Sequence, residues 1–85
     1  MFFYVYLLIL SDKSWYIGFS EDLYQRVRDH RAGRVKSTTN KRPLKLVYYE
    51  AYLNKKDALG RERFLKSGSG RKYLKKQLRN YLQKK

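Results

Sequence analysis

WYIGFSEDLYQRVRDH, residues Trp15–His30, changes from a strand-like to a helix-like pattern part-way along its length. Aromatic and β-branched residues, which favour strands, lead up to Gly18. Beyond Ser20, positions 23, 26, 27 and 30 are spaced at i, i+3, i+4 and i+7, which places them on one face of a helix. We therefore expect a strand that ends near Gly18, followed by a helix that Ser20 caps and that extends from about Glu21 to about Ala32.

The predicted helix carries two polar side chains on its inward face. Leu23 and Val27 indicate that this face is directed towards the protein interior, and Arg26 and His30 share it. A helix that only packed on a core would carry apolar residues at those two positions as well. Because guanidinium groups bind phosphate and imidazoles transfer protons, this face is the first indication of a functional site.

The composition limits the class of protein. With 85 residues, we expect one domain, residues 1–85, with a single small core. The absence of cysteine excludes a disulfide-rich scaffold, a thiolate metal site and a cysteine nucleophile, and it is typical of a cytoplasmic protein. The single histidine excludes a histidine-based metal cluster.

The charge indicates a polyanionic partner. There are 21 lysines and arginines against 7 acidic residues, a formal net charge of +14. DNA is the expected partner, and RNA is also possible. A membrane is disfavoured because no long amphipathic helix is predicted, and the apolar first ten residues are too short to span a bilayer.

The other strands complete a small sheet. Phe2–Leu10 is apolar on both strand faces, so we expect it to be covered on both sides. Ser11–Ser14 is a polar turn that joins this strand to Trp15 in an antiparallel hairpin. Leu44–Tyr52 is rich in strand-forming residues and is the third predicted strand.

Two further helices follow. Asn54 caps the first of them, with Asp57 in its first turn, and this helix stops at Ser67–Gly70. The last helix has a buried stripe that consists of Leu74, Leu78, Tyr81 and Leu82, and residues 83–85 are expected to fray. The order β-β-α-β-α-α predicts an α/β (α+β) fold, a three-stranded antiparallel sheet flanked by about three helices.

Glu62 is a second unusual inward residue. Ala58, Glu62 and Leu65 lie at i, i+4 and i+7, so the glutamate shares the inward stripe of its helix. By itself it would be interpreted as a boundary residue paired with Arg61 or Arg63. Beside an inward arginine and histidine it becomes a candidate ligand for Mg²⁺, which prefers oxygen donors.

Two basic segments, Arg34–Lys45 and Arg71–Lys76, are candidate contacts for a phosphate backbone. The alternative is a solvated loop and a solvated helix face. The side chains that we expect to contact DNA are Arg34, Lys36, Lys41, Arg42, Lys45, Arg71 and Lys72.

The motifs YVY at residues 4–6 and YIG at residues 16–18 resemble the signature of the GIY-YIG nucleases. Tyr4 stands where that family usually has glycine. The resemblance extends from Phe3 to about Tyr81, and it is closest to small stand-alone proteins similar to the N-terminal nuclease domain of the bacterial repair excinuclease. The positions that match functional residues of the family are Tyr6, Tyr16, Arg26, His30 and Glu62.

This resemblance implies a metal-dependent DNA endonuclease, structure-directed or weakly sequence-specific, with a role in DNA repair or recombination. Tyr6, in preference to Tyr16, would accept a proton from the attacking water. Arg26 would hold the scissile phosphate, and His30 would relay protons or position a tyrosine. Glu62 would bind one Mg²⁺ or Mn²⁺ ion.

Two alternatives remain open at the level of sequence. One is a nucleic-acid-binding module without catalysis, for DNA or RNA, that keeps the fold and the basic surface. The other is an RNA-associated protein such as a ribosome-binding factor, which leaves Glu62 unexplained. The nuclease hypothesis requires the five matching side chains to converge on one surface.

Overall fold

A computed structural model describes residues 1–83 and has an α+β fold, as predicted. Three antiparallel strands, β1 (Phe3–Ile9), β2 (Trp15–Ser20) and β3 (Lys45–Tyr52), form a sheet in the order β2-β1-β3. The helices are α1 (Leu23–Arg31), α2 (Lys55–Lys66), α3 (Gly68–Gln77) and α4 (Arg79–Leu82), with a 3₁₀ turn at Thr39–Lys41. Within residues 1–83, no helix combines the length and the apolar character needed to cross a membrane.

The central strand β1 is covered on both faces, which confirms the interpretation of its apolar sequence. Val5 and Leu7 face one way, into a core with residues of α2 and α3. Tyr6 and Leu8 face the other way, towards the side that α1 covers. This alternation follows from the two-residue period of a strand, and it delivers the Tyr6 side chain to the inward face of α1.

The beginning of α1 differs from the prediction. Asp22, not Ser20, is the N-cap, because Oδ1 of Asp22 accepts a hydrogen bond from the backbone N–H of Gln25 at 3.1 Å. Ser20 still belongs to β2, and its hydroxyl accepts from the Asp22 N–H instead. Both residue types are good caps, so the pattern alone did not distinguish them. The helix ends as expected, with Gly33 just beyond it at φ +80°.

The segment predicted to separate the last two helices is instead the first turn of α3. The Ser67 hydroxyl caps this helix by accepting from the Gly70 N–H at 3.1 Å. Gly70 is needed for close packing, since a Cβ atom there would lie 1.9 Å from the carbonyl oxygen of Phe64 on α2. Asn54 caps α2 as predicted.

The last predicted helix is divided. Leu78 interrupts it, so that α3 ends at Gln77 and α4 begins at Arg79. Tyr81, predicted to be part of the buried stripe, is exposed on α4. The fraying predicted for the C-terminus falls in part on residues 84–85, which lie outside the described residues.

Candidate active site

A buried hydrogen bond joins the first strand to α1. The Tyr6 hydroxyl lies 2.9 Å from Nε2 of His30, and both side chains are excluded from solvent, with Tyr6 1% exposed and His30 fully buried. The two rings meet edge to face, with centroids 5.7 Å apart. The inward histidine predicted from helix periodicity therefore meets a tyrosine of the YVY motif.

Thr38 completes this buried chain of polar groups, and sequence analysis did not identify it. Its Oγ1 lies 2.8 Å from Nδ1 of His30 and donates to the carbonyl oxygen of Val35. Because the hydroxyl has one proton, it accepts from Nδ1–H, and Nε2 is left to accept from Tyr6. Thr38 lies in a segment that the sequence presents as a solvated basic loop, yet it is fully buried. The only sequence signal was the isolated apolar residue Val35 nearby.

The environment keeps the imidazole of His30 neutral. Burial lowers its pKa to about 4, and the positive charge of Arg26 acts in the same direction. At neutral pH, His30 is therefore a hydrogen-bond acceptor at Nε2 and carries no charge.

Arg26 interacts with both motif tyrosines. The pKa of its guanidinium is raised because the Tyr6 hydroxyl interacts with it, and Tyr16 adds to this effect. Burial raises the pKa of Tyr6 to about 12, although Arg26 opposes the shift. The Tyr16 ring packs against His30 with centroids 5.0 Å apart. Arg26 is thus the positive group shared by both phenols.

Gly18 of the YIG motif makes room for the Tyr6 ring. The two residues are directly opposite one another in the β1–β2 pair. A Cβ atom at position 18 would lie 2.2 Å from Cζ of Tyr6, a distance that no side chain could occupy. The glycine therefore allows the tyrosine to extend across β2, an edge strand of the sheet.

Glu62, on α2, influences the same hydroxyl through its charge. Its negative charge contributes to the raised pKa of Tyr6, and its side chain is 18% exposed. The carboxylate pairs with Lys66 at 3.2 Å, so the alternative in which Arg61 or Arg63 is its partner is wrong. Tyr6, Tyr16, Arg26 and His30 thus interact with one another, and Glu62 acts on Tyr6 through its charge.

These residues fit a metal that is shared with a substrate. Among residues 1–83, no group of three or more histidine, aspartate or glutamate side chains could enclose an ion. Mg²⁺ is often held by one or two carboxylates together with water and substrate phosphates. Glu62, a half-buried carboxylate beside Tyr6, is a donor of that kind.

A groove of about 370 Å³ extends along β2 beside Tyr16. Lys66 and Arg71 lie along it, and the Arg71 guanidinium stacks on Trp15 at 4.3 Å from the ring centroid. Basic side chains therefore border the groove that Tyr16 lines.

The seven side chains predicted to contact DNA are all exposed, but some of them already bond to other groups of the protein. Arg34 pairs with Asp29 at 2.8 Å, and Lys41 pairs with Asp12 at 3.4 Å. Arg42 donates to the backbone carbonyl oxygens of Thr39 in the loop and Arg31 at the end of α1, which gives it a structural role. The others are Lys36, Lys45, Lys72 and the groove residue Arg71.

A second polar cluster, also missed by sequence analysis, joins β3 to α2. Arg61 donates from Nε and Nη2 to the two carboxylate oxygens of Glu50, at 2.8 and 2.9 Å. The hydroxyls of Tyr48 and Tyr52 donate to the same carboxylate. Burial disfavours the charged form of Glu50, but these hydrogen bonds outweigh it and lower its pKa. We interpret this cluster as a structural connection between the two elements.

Comparisons with known proteins agree with the motif. The sequence model of the GIY-YIG catalytic domain matches residues 2–83. A UPF0213 protein of Haloquadratum walsbyi is 42% identical over 65 residues, 75% of this chain and 73% of that protein. One of Pediococcus acidilactici is 38% identical over 76 residues, 86% of this chain and 78% of that protein.

A solved structure is also similar. The solution NMR structure of a UPF0213 protein from Bacillus halodurans superimposes with a TM-score of 0.56 and 34% sequence identity, over 87% of this chain and 82% of that one. With the family match over residues 2–83 and relatives of about this size, the chain belongs to the GIY-YIG catalytic domain family.

Proposed function

We propose that this protein is a divalent-metal-dependent endonuclease that hydrolyses phosphodiester bonds in DNA. The observation that carries the proposal is the buried Tyr6–His30 pair, whose tyrosine hydroxyl interacts with Arg26 and is influenced by the charge of Glu62. A binding surface needs positive charge, but it does not need a neutral buried histidine and a half-buried carboxylate at the same point. Family membership supports a nuclease-type activity.

Arg26 is the proposed ligand of the scissile phosphate. Its guanidinium presents several donors in a fixed plane, which suits the oxygens of a phosphate whose charge increases in the transition state. Its interaction with the hydroxyls of both tyrosines associates it with Tyr16, which lines the groove. The groove beside Tyr16, with Lys66 and Arg71, would admit the neighbouring backbone.

The proton acceptor for the attacking water is one of the two tyrosines. The sequence favoured Tyr6, but this residue is almost completely buried and its hydroxyl is bonded to His30. Tyr16 is half-buried and lines the groove. Accessibility therefore favours Tyr16 as the group that meets the water, with Tyr6 and His30 as residues that position Arg26 behind it.

Glu62 is the proposed metal ligand. A bound Mg²⁺ or Mn²⁺ would polarise the phosphate and stabilise the leaving oxygen. The Glu62 carboxylate would also keep a negative charge beside the phenols, which opposes premature loss of their protons.

The proposed substrate class is DNA that is recognised by its structure. A chain of 85 residues has little surface for reading base sequence, and its net charge of +14 suits contact with the phosphate backbone. This fits a weakly sequence-specific enzyme that acts on repair or recombination intermediates.

The proposal is tested by cleavage of linear, flapped and branched DNA in Mg²⁺, Mn²⁺ or EDTA. We expect cleavage only with the metals, and losses of at least about 100-fold for Arg26→Gln and Tyr16→Phe. Arg63→Gln, which removes an exposed arginine from α2, is the control for charge and should cleave normally. Binding of all three substrates without a metal-dependent cut would favour the non-catalytic binding module instead.

The identity of the proton acceptor is tested separately with fluorotyrosine, whose phenol has a lower pKa than tyrosine. We expect the cleavage rate to rise with pH as the proton acceptor loses its own proton. Fluorotyrosine at position 16 should move this rise to lower pH. Placed at position 6, it should leave that rise unchanged. The opposite pattern would return the role of acceptor to Tyr6.

A further inference from the structure

Two exposed tyrosines and one half-buried tyrosine lie on the opposite side of α1 from the proposed active site. We refer to Tyr4, Tyr24 and Tyr49 as the aromatic surface. Tyr24 is 74% exposed and Tyr49 is 54% exposed, while Tyr4 packs edge to face against Tyr49 with centroids 6.0 Å apart. Exposed aromatic groups in such close association commonly mark an interaction site.

The sheet and helix geometry places this surface beside the active site. Tyr49 is the direct β3 neighbour of Tyr6, so both side chains are on the α1 side of the sheet. On α1, Arg26 lies on one flank, whereas Tyr24 and Arg28, at i and i+4, lie on the other. The two sites are therefore separated by roughly the diameter of one helix, about 10–12 Å.

A groove of about 710 Å³ runs between Tyr24 and Tyr49. Arg28 and Arg31 line it, and the Arg28 guanidinium lies 5.4 Å from the centre of the Tyr24 ring. Glu21 and Asp22 also line it, beside the start of α1. The groove thus combines planar aromatic walls with two arginines, and its size suits a flat ring system.

The charge of the molecule determines which occupant fits. A second copy of the chain is disfavoured because two molecules that each carry a formal net charge of +14 repel each other. A polyanion is attracted by the same charge. The exposed rings are tyrosines next to arginines, and these two residue types stack on bases.

We infer that the aromatic surface binds unpaired bases of DNA whose backbone reaches the active site around α1. The choice of DNA rests on the proposed function. The preferred substrates would then contain a single-stranded segment next to the cleaved bond, as in a flap or a splayed arm. In a fully paired duplex the bases remain stacked on one another and leave the aromatic surface empty.

The test is the affinity of the protein for a fluorescent single-stranded DNA oligonucleotide, measured by anisotropy in EDTA. A second oligonucleotide of equal length has abasic sites throughout, so it presents the same phosphates without bases. We expect Tyr24→Leu and Tyr49→Leu to weaken binding of the first by about 5- to 100-fold and binding of the second by less than about twofold. Tyr24→Trp should retain or improve binding, and Tyr81→Leu, at an exposed tyrosine of α4, should bind normally.

Equal losses on both oligonucleotides, or no loss on either, would overturn the inference. Tighter binding of an RNA oligonucleotide that depends on the same tyrosines would assign the surface to RNA, and sedimentation as a tyrosine-dependent dimer would assign it to a second copy. Because binding is measured without metal, the result is independent of catalysis. Base-dependent binding without cleavage would refute the proposed function alone, and cleavage with unchanged binding by the leucine variants would refute this inference alone.

Discussion

His30 forms hydrogen bonds at both ring nitrogens, with Tyr6 at Nε2 and with Thr38 at Nδ1. We predict that Thr38→Val, which keeps the side-chain shape, leaves Nδ1–H unpaired and lowers the free energy of unfolding by about 1–3 kcal/mol. Cleavage should also fall, since the ring is then free to take its other tautomer. Thr38→Ser keeps the hydroxyl and should restore both properties.

The readout for this prediction is the ¹⁵N spectrum of the imidazole, which is assigned without ambiguity because the chain has one histidine. The wild type and Thr38→Ser should carry the ring proton on Nδ1. A wild-type spectrum with the proton on Nε2 would show that the hydrogen-bond direction derived from Thr38 and Val35 is wrong.

The low pKa of His30 makes the protein sensitive to acid. The pKa is about 4 in the folded protein against 6.5 for an unperturbed histidine, so on acidification the unfolded chain takes up this proton first. Its contribution to stability is complete above about pH 6.5 and is lost as the pH falls towards 4. Between pH 7 and pH 5, urea denaturation should show the wild type losing about 2 kcal/mol more than His30→Gln. Parallel losses in the two proteins would mean that His30 titrates normally.

Gly18 provides a steric test of the site. We predict that Gly18→Ala displaces the Tyr6 ring, destabilises the fold by about 1–3 kcal/mol and reduces cleavage, because the new methyl group would overlap Cζ of Tyr6. Gly68→Ala is the matched control, since nothing lies within 4 Å of a Cβ atom there. It should leave stability unchanged or raise it slightly. Thermal denaturation and the cleavage rate of both variants check the prediction.

The site residues that lie on helices could be predicted from the sequence. Arg26 and His30 were visible because helical spacing assigned them to an apolar face, and Glu62 was visible for the same reason. Thr38 has no such spacing around it, and its burial depends on how the loop after α1 folds back over His30. That is a tertiary property, which local pattern does not encode.

At the scale of elements, α1 separates two surfaces. Its inward residues close one core of the sheet, and its flanks border the proposed active site on one side and the aromatic surface on the other. The corrected start of the helix does not alter this, because Leu23 and every later residue keep the predicted spacing. The capping error arose because Ser20 and Asp22 are both good capping residues. Ser20 is part of β2, and Asp22 is therefore the residue that caps α1.

The connection between β3 and α2 depends on Glu50 and Arg61. We predict that Glu50→Gln costs about 3 kcal/mol, because Arg61 then keeps a largely buried charge without its carboxylate partner. Asp12→Asn is the control at the exposed Asp12–Lys41 pair, where the loss should be no more than about 0.5 kcal/mol. Denaturant titrations of the two variants give the comparison, and similar small losses in both would show that the cluster adds little to stability.

This cluster was not foreseen from the sequence for a clear reason. Strand alternation does place Tyr48, Glu50 and Tyr52 on one face, but a charged residue on a mostly apolar face of a strand is usually at the edge of the core. Only the packing of α2 on β3 shows that Arg61 lies across from Glu50. The pairing then explains why Arg61 is unavailable to Glu62.

At the scale of the whole molecule, the chain has a formal net charge of +14, while the proposed active site contains one carboxylate that is proposed to bind metal. Affinity for DNA and cleavage of DNA should therefore depend on different residues. Lysines and arginines dispersed over the surface would supply affinity through the phosphates. The negative charge of Glu62 repels a polyanion, so Glu62 should not increase the affinity for DNA in the absence of metal.

The most direct test of the central claim is the rate of DNA cleavage by Glu62→Gln in saturating Mg²⁺, measured together with its DNA affinity in EDTA. We predict a rate at least about 100-fold below that of the wild type, with DNA affinity unchanged or slightly higher. Asp57→Asn removes an exposed acid from the same helix with the same change in net charge, and it should cleave at the wild-type rate. Cleavage by Glu62→Gln at the rate of Asp57→Asn would contradict the account.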